Sequence, residues 1–130
     1  MIFGIGTDIL EVERFKNKLS ASNTRLINTL FTSSEIEYCR QGKSKAVQAQ
    51  RFTARFAAKE AFLKALGTGL RNGITWHDLE VAHTELGKPV LNVNGTAAVL
   101  MKESRITRTH LSLSHSKHHA TATVILEQEP

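Results

Sequence analysis

Residues 44–66 read SKAVQAQRFTARFAAKEAFLKAL, without a proline or a glycine and rich in alanine, lysine, arginine and glutamine. Side chains of these types lose little freedom in a helix, so the spacing predicts the longest helix of the chain here. Phe52, Phe56, Leu63 and Leu66 fall within one narrow face at 3.6 residues per turn, and Gly67 supplies a C-terminal stop. Lys59 falls inside that apolar arc, so its amine must snorkel or meet a buried anion. Glu60 and Lys64 stand at i and i+4, adjacent on the helix surface. Alone, such a pair is an exposed ion pair worth about 0.2–0.5 kcal/mol.

Outward from this helix the pattern is mixed. Thr32-Ser33-Ser34-Glu35 has the spacing of a capping box and predicts another helix start. Glu13 to Leu19 and Thr24 to Leu30 read as short helical pieces. The opening Ile2-Phe3-Gly4-Ile5-Gly6-Thr7-Asp8-Ile9 is apolar with two glycines, and reads as a buried strand whose backbone something approaches closely. On the C-terminal side, Leu79–Ala82 and Val90–Val93 read as strands joined by a turn at Glu85–Pro89. Gly95 to Lys102 is helical. Thr109–Ser114 and Ala120–Leu126 alternate with period two and predict an antiparallel hairpin about Ser116-Lys117-His118. With no repeat and no Pro/Gly/Ser linker, the class is α+β, a long central helix on an antiparallel sheet, in a single domain over residues 1–130.

The chain has 130 residues, 41% hydrophobic and 22% charged, ordinary for a folded domain. Its longest apolar run is broken by Asp8, too early to cross a bilayer, and no secretory leader is expected from the first residues. The single cysteine, Cys39, offers no intramolecular disulfide and fits a reducing, cytoplasmic setting. Net charge +5 and a pI near 9.7 favour an anionic partner: nucleic acid, a phosphorylated small molecule, an acidic protein or an anionic membrane face.

Asp8 interrupts an apolar strand. It is either a turn-capping carboxylate or an ion ligand, because a bare carboxylate among apolar residues is costly. Gly67-Thr68-Gly69 resembles a phosphate turn but lies at the wrong end of its helix, where the dipole repels anions. His115, His118 and His119 have a metal-like spacing only on a helix, and this segment reads as strand and turn, which argues against zinc. Arg14, Lys16, Lys18 and Arg25 make a positive N-terminal patch. The aromatic residues do not interleave with the basic ones, which leaves a base-stacking nucleic-acid surface unsupported.

Taken in order, Gly4-Ile5-Gly6-Thr7-Asp8, the run from Arg55 to Gly69, Leu86-Gly87-Lys88-Pro89 and Leu111-Ser112-Leu113-Ser114-His115 resemble the holo-[acyl-carrier-protein] synthase family of small 4′-phosphopantetheinyl transferases. The resemblance implies transfer of the phosphopantetheine arm of coenzyme A to a serine of apo-acyl carrier protein, releasing adenosine 3′,5′-bisphosphate, in fatty-acid synthesis. It implies Mg²⁺ on Asp8 and Glu60, with Glu60 and Lys64 as the catalytic pair. Coenzyme A would meet Lys59, Lys64, Gly67, His115, Lys88 and Pro89, and the acidic carrier protein would meet Arg14, Lys18 and Arg25. The small members resemble homotrimers with active sites between subunits. Carrier domains of polyketide or peptide synthases are an alternative target. A small basic nucleic-acid-binding domain is the alternative of another class, and it leaves Asp8, Glu60 and Lys64 without a purpose.

Overall fold

The computed structural model describes residues 1–21 and 24–130. Five strands and five helices follow in the order β1 (Ile2–Glu11), α1 (Val12–Ala21), α2 (Arg25–Leu30), α3 (Ser33–Arg40), α4 (Lys45–Leu66), β2 (Leu79–His83), β3 (Pro89–Val93), α5 (Gly95–Glu103), β4 (Ile106–His115) and β5 (His119–Gln128), with a 3-10 turn at Trp76–Asp78. The long helix begins at a Ser44 cap whose side chain accepts from Val47 N, and it ends at Gly67 in the left-handed region, φ 87°. Thr32 and Glu35 form the reciprocal capping box that their spacing predicted. Each strand and helix of the sequence reading is present, with ends that differ by up to three residues: most are longer, and the piece read from Thr24 begins at Arg25.

The main sheet is antiparallel in the order β1-β5-β4, and β2-β3 form a separate hairpin. Pairing of Gly6 with Val124 and of Asp8 with Ala122 sets the register of β1 on β5. Helix α4 lies across the inner face of both strands. Gly4 and Gly6 permit this, because a methyl on Gly6 would sit 2.7 Å from Ala65 N and against the Ala61 carbonyl. The close approach foreseen for the N-terminal strand is therefore α4 itself.

Two expectations are corrected. β1 is half-buried rather than buried, since Ile5 and Ile9 on its outer face are 65% and 63% exposed; α4 covers only one side of the sheet. Helix α4 is also not buried along a narrow stripe. From Phe52 to Leu66 every residue is buried except Phe56, Glu60 and Lys64. Sheet residues Val124 and Leu126 pack on one side, and the aromatic cluster of Phe15, Phe31 and Phe52 packs at its N-terminal half. A helix enclosed from several sides needs no polar face, and its small Ala57, Ala58, Ala61 and Ala65 allow close neighbours. Among the described residues no helix is long and apolar enough to cross a membrane.

Candidate active site

Phe56, Glu60 and Lys64 recur every four residues, so between Phe52 and Leu66 the uncovered part of α4 is a single line along the helix. Its last two members meet Asp8, which the alternation of β1 turns to the inner face beside Gly6. Lys64 Nζ donates to Asp8 Oδ1 at 3.1 Å and to the Thr7 carbonyl at 3.0 Å. The lysine side chain stays 55% exposed while that of Asp8 is 14% exposed. Asp8 Oδ2 is buried and accepts no hydrogen bond. Burial first, and the neighbouring Asp8 charge second, raise the Glu60 carboxyl above the usual carboxylate range, against the opposing pull of Lys64.

Two carboxylates thus lie about one half-exposed ammonium, which pairs with Asp8, and one Asp8 oxygen lacks any donor. Hard oxygens in that state suit a divalent cation such as Mg²⁺. Among the described residues there is no group of three or more His, Cys, Asp or Glu able to hold a metal. A cation on Asp8 and Glu60 would have two protein ligands, and its remaining positions would fall to water or substrate oxygens. Thiol chemistry has no place here: Cys39 is buried and its thiol is pushed up to about 12, chiefly by burial.

The other predicted residues fall into three groups. Gly67 caps α4 just past Lys64, its N–H donating to Leu63 O at 2.8 Å. Arg14 and Lys18 line a cleft of about 420 Å³ with Ile9, Leu10, Phe15 and His119, on the continuation of the Asp8 strand. Arg25 opens α2, exposed and outside that lining. His115 pairs with Ala120, which pairs with Leu10; it is about 10 Å across the sheet from β1 at ordinary strand spacing. Lys88 and Pro89 lie on the other sheet, where Pro89 opposes His83. Within one chain, then, Asp8, Glu60 and Lys64 converge, while His115, Lys88 and Pro89 stand apart from them.

Lys59 is a correction. Its side chain is 0% exposed and pairs with the equally buried Glu35 at 2.7 Å. It also donates to the carbonyls of Leu30 at 2.7 Å and Trp76 at 3.2 Å. All three N–H donors are used, which leaves none for a phosphate or ribose. Of the two outcomes open to a lysine in the apolar arc, snorkelling or meeting a buried anion, the structure has the second, and the anion is Glu35.

The sequence reading missed a second cluster. Arg55 is 3% exposed, and its Nε has no hydrogen-bond partner. Its guanidinium lies 4.1 Å from the Tyr38 ring centroid, and that of Arg51 lies 4.3 Å from the same ring. His83 stacks on Tyr38 at 4.5 Å and faces Arg55 Nη2 at 3.1 Å. Burial, then Arg55 and Arg51, push the His83 pKa down. Neither arginine forms an ion pair among the described residues. Apart from the His83 contact, the two guanidiniums donate only to backbone carbonyls, Arg51 to that of Tyr38 at 2.9 Å and Arg55 to that of Arg51 at 3.3 Å, and so carry charge that no protein anion neutralises. The signal was present in the sequence: Arg51 and Arg55 are like charges at i and i+4, an arrangement that repels unless something lies between them.

Residues 4–124 match the model of the 4′-phosphopantetheinyl transferase superfamily. The chain is 51% identical over 128 residues to a holo-[acyl-carrier-protein] synthase of Geobacter metallireducens, covering 98% of this chain and 99% of the relative. It is 47% identical over 129 residues to one of Vibrio cholerae, covering 98% and 99%. Among solved structures, the fold is similar to a holo-(acyl-carrier-protein) synthase of Bacillus anthracis in complex with CoA (3′,5′-ADP), with TM-score 0.80, 35% identity and 99% coverage of each chain. It is also similar to that of Neisseria meningitidis, with TM-score 0.85, 32% identity and coverage of 98% and 100%.

Proposed function

The chain belongs to the 4′-phosphopantetheinyl transferase superfamily, among the holo-[acyl-carrier-protein] synthases, and from this we propose that it moves the phosphopantetheine arm of coenzyme A onto a serine of an apo-acyl carrier protein. The observation that carries the reading is the meeting of Asp8, Glu60 and Lys64, with one carboxylate oxygen unsatisfied. Asp8 and Glu60 would hold Mg²⁺, which when bound supplies counter-charge for a pyrophosphate.

The serine oxygen bonds to the phosphorus that carries pantetheine, and the bond from that phosphorus to the bridging oxygen breaks. Adenosine 3′,5′-bisphosphate leaves with the electron pair on the bridging oxygen. Glu60, made more basic by burial and by Asp8, takes the serine proton directly or through water. Lys64 offers a half-exposed ammonium to the charge that develops on the leaving phosphate. Gly67 leaves room for the cofactor at the end of the helix, since nothing lies within 4 Å of where its Cβ would be. Arg51, Arg55 and His83 take a phosphate of coenzyme A other than the reacting one, because Arg55 stands more than a helical turn from Glu60.

Arg14 and Lys18, and beyond their cleft Arg25, meet the acidic carrier protein beside the strand that bears Asp8. A homotrimer is part of the same reading. Ile2, Ile5 and Ile9 are 65%, 65% and 63% exposed along an edge strand, an apolar row that a second copy would cover. A neighbouring copy would also supply the His115, Lys88 and Pro89 contacts that one chain keeps apart. The test is mass spectrometry of an apo carrier protein incubated with this protein, coenzyme A and Mg²⁺. The mass of one phosphopantetheine should appear on the carrier and be lost with EDTA. An unmodified carrier, together with salt-sensitive retention on DNA, would favour the nucleic-acid alternative.

A further inference from the structure

Lys59 and Glu35 are buried to 0% exposure, and they stand between the two groups of functional side chains. On α4, Lys59 directly precedes Glu60 and comes one turn after Arg55. Glu35 Oε2 accepts from Val81 N at 2.8 Å, two residues before His83 on β2. Glu35 Oε1 accepts from Thr32 N at 2.9 Å at the start of α3. The ammonium of Lys59 adds the carbonyl at the end of α2 and that of Trp76 in the 3-10 turn. One ion pair therefore fastens α2, α3, the 3-10 turn and β2 to α4, at the height where α4 carries both Arg55 and Glu60.

Stability alone does not account for such a pair. Removing two charges from water costs several kcal/mol per ion, and well-packed apolar groups of similar size often do as well or better. What an apolar pair lacks is direction: five hydrogen bonds of fixed geometry select one rotation of α4 about its axis, whereas a smooth alanine-rich surface tolerates several. Rotation matters here. Glu60 and Lys64 must face Asp8 while Arg55 faces His83, and the two requirements sit on different sides of one helix.

We propose that Lys59 and Glu35 are positioning residues for the transfer reaction, setting the Arg55–His83 cluster and the Glu60–Lys64 strip in register so that coenzyme A is held at both at once. The inference rests on the functional reading above. Small misplacements of reacting groups cost up to about 100-fold in rate.

The test compares wild type with two variants, by thermal denaturation and by steady-state transfer to a carrier protein. Lys59→Met with Glu35→Gln replaces the pair by groups of similar length and removes both charges together, while the glutamine oxygen still accepts from one of the two backbone N–H groups that Glu35 satisfies. Glu35→Asp keeps the charge but falls one methylene short. In each, Tm should stay within a few degrees of wild type. The KM for coenzyme A should rise about tenfold and kcat fall about 10- to 100-fold. The KM for the carrier protein should move much less than that for coenzyme A, because Arg14 and Lys18 lie on α1, which the pair does not touch, and of the carrier contacts only Arg25 lies on α2, which it does. A merely structural pair would lower the folded fraction and scale kcat alone. A folded variant of either kind with wild-type constants for coenzyme A, or with a loss confined to kcat in proportion to unfolded protein, overturns the proposal. Absence of transfer in the wild type itself would instead overturn the functional reading.

Discussion

Two lysines on helix α4, Lys59 and Lys64, each face a carboxylate, and they differ in every other respect. At Lys59 three acceptors meet three donors in a dry interior. At Lys64 the ammonium is half in water, the Glu60 carboxyl is raised by burial and by its neighbour, and Asp8 Oδ2 has no partner. The first arrangement has no capacity left and holds elements together. The second is incomplete until something cationic or anionic joins it, and incompleteness of this kind is what a reaction centre requires. The ion-pair distances, 2.7 and 3.1 Å, are close in the two cases, so satisfaction of the polar atoms and the second carboxylate at Lys64 are what tell them apart.

The sharpest way to break this contrast is to remove the unsatisfied carboxylates. Asp8→Ala and Glu60→Ala should each lower transfer by at least about 100-fold, with no loss of Tm. A near-normal rate with undiminished Mg²⁺ binding, measured by mass spectrometry of the carrier and by calorimetry, would end the metal assignment. Lys64→Ala should lower kcat by about 10- to 100-fold while weakening coenzyme A binding much less. Equal losses in both, from steady-state kinetics and direct titration, would make Lys64 a ground-state clamp. The exposed cations of α1 should behave differently again. Arg14→Glu should raise the KM for the carrier protein about tenfold at low ionic strength and flatten its salt dependence, leaving that for coenzyme A unchanged.

Smaller effects refine the same picture through stability. Without Mg²⁺, Glu60→Gln removes a charge from a site where burial and Asp8 disfavour it, so Tm should rise slightly; the further rise that Mg²⁺ gives the wild type should shrink. A fall in Tm would mean that the two carboxylates are better compensated than their geometry indicates. The smallest effect concerns His83, whose pKa is lowered in the folded state. Below about 6.5 the unfolded chain takes up a proton that the folded chain refuses, so stability contributed by the neutral ring declines as pH falls. Wild type should lose stability relative to His83→Gln between neutral and mildly acidic pH in urea titrations, and parallel curves would remove His83 from the buried arginine cluster.

Local chemistry was legible in the sequence. The Thr32–Glu35 box, the Gly67 stop, both hairpins and the tight approach at the N-terminal glycines each follow from residues close together in the chain. The convergence of Asp8, Glu60 and Lys64 was reached by resemblance, because pairing β1 with β5 joins the two ends of the chain and no local pattern encodes it. Lys59 was half-read: its position in an apolar arc left its amine either to snorkel or to meet a buried anion, and choosing the second and naming Glu35 required knowing that α3 packs on α4. Arg55 was missed because an arginine in an alanine-rich helix looks like a solvated one until its neighbours are in place. Burial of α4 from several sides was hidden for the same reason, as alanine signals neither core nor surface.

Gly4 and Gly6 set main chain against main chain, with Ala61 and Ala65 of the helix on the opposite side. The span from the carboxylate on the strand to the one on the helix is therefore gauged by peptide atoms, whose dimensions do not vary from one protein to another. Bulky core residues elsewhere can drift, swap and repack without reaching that gauge, much as furniture can be moved without shifting the load-carrying wall. A lineage bearing these glycines is free to wander in composition while the distance between strand and helix at its two acids stays the same.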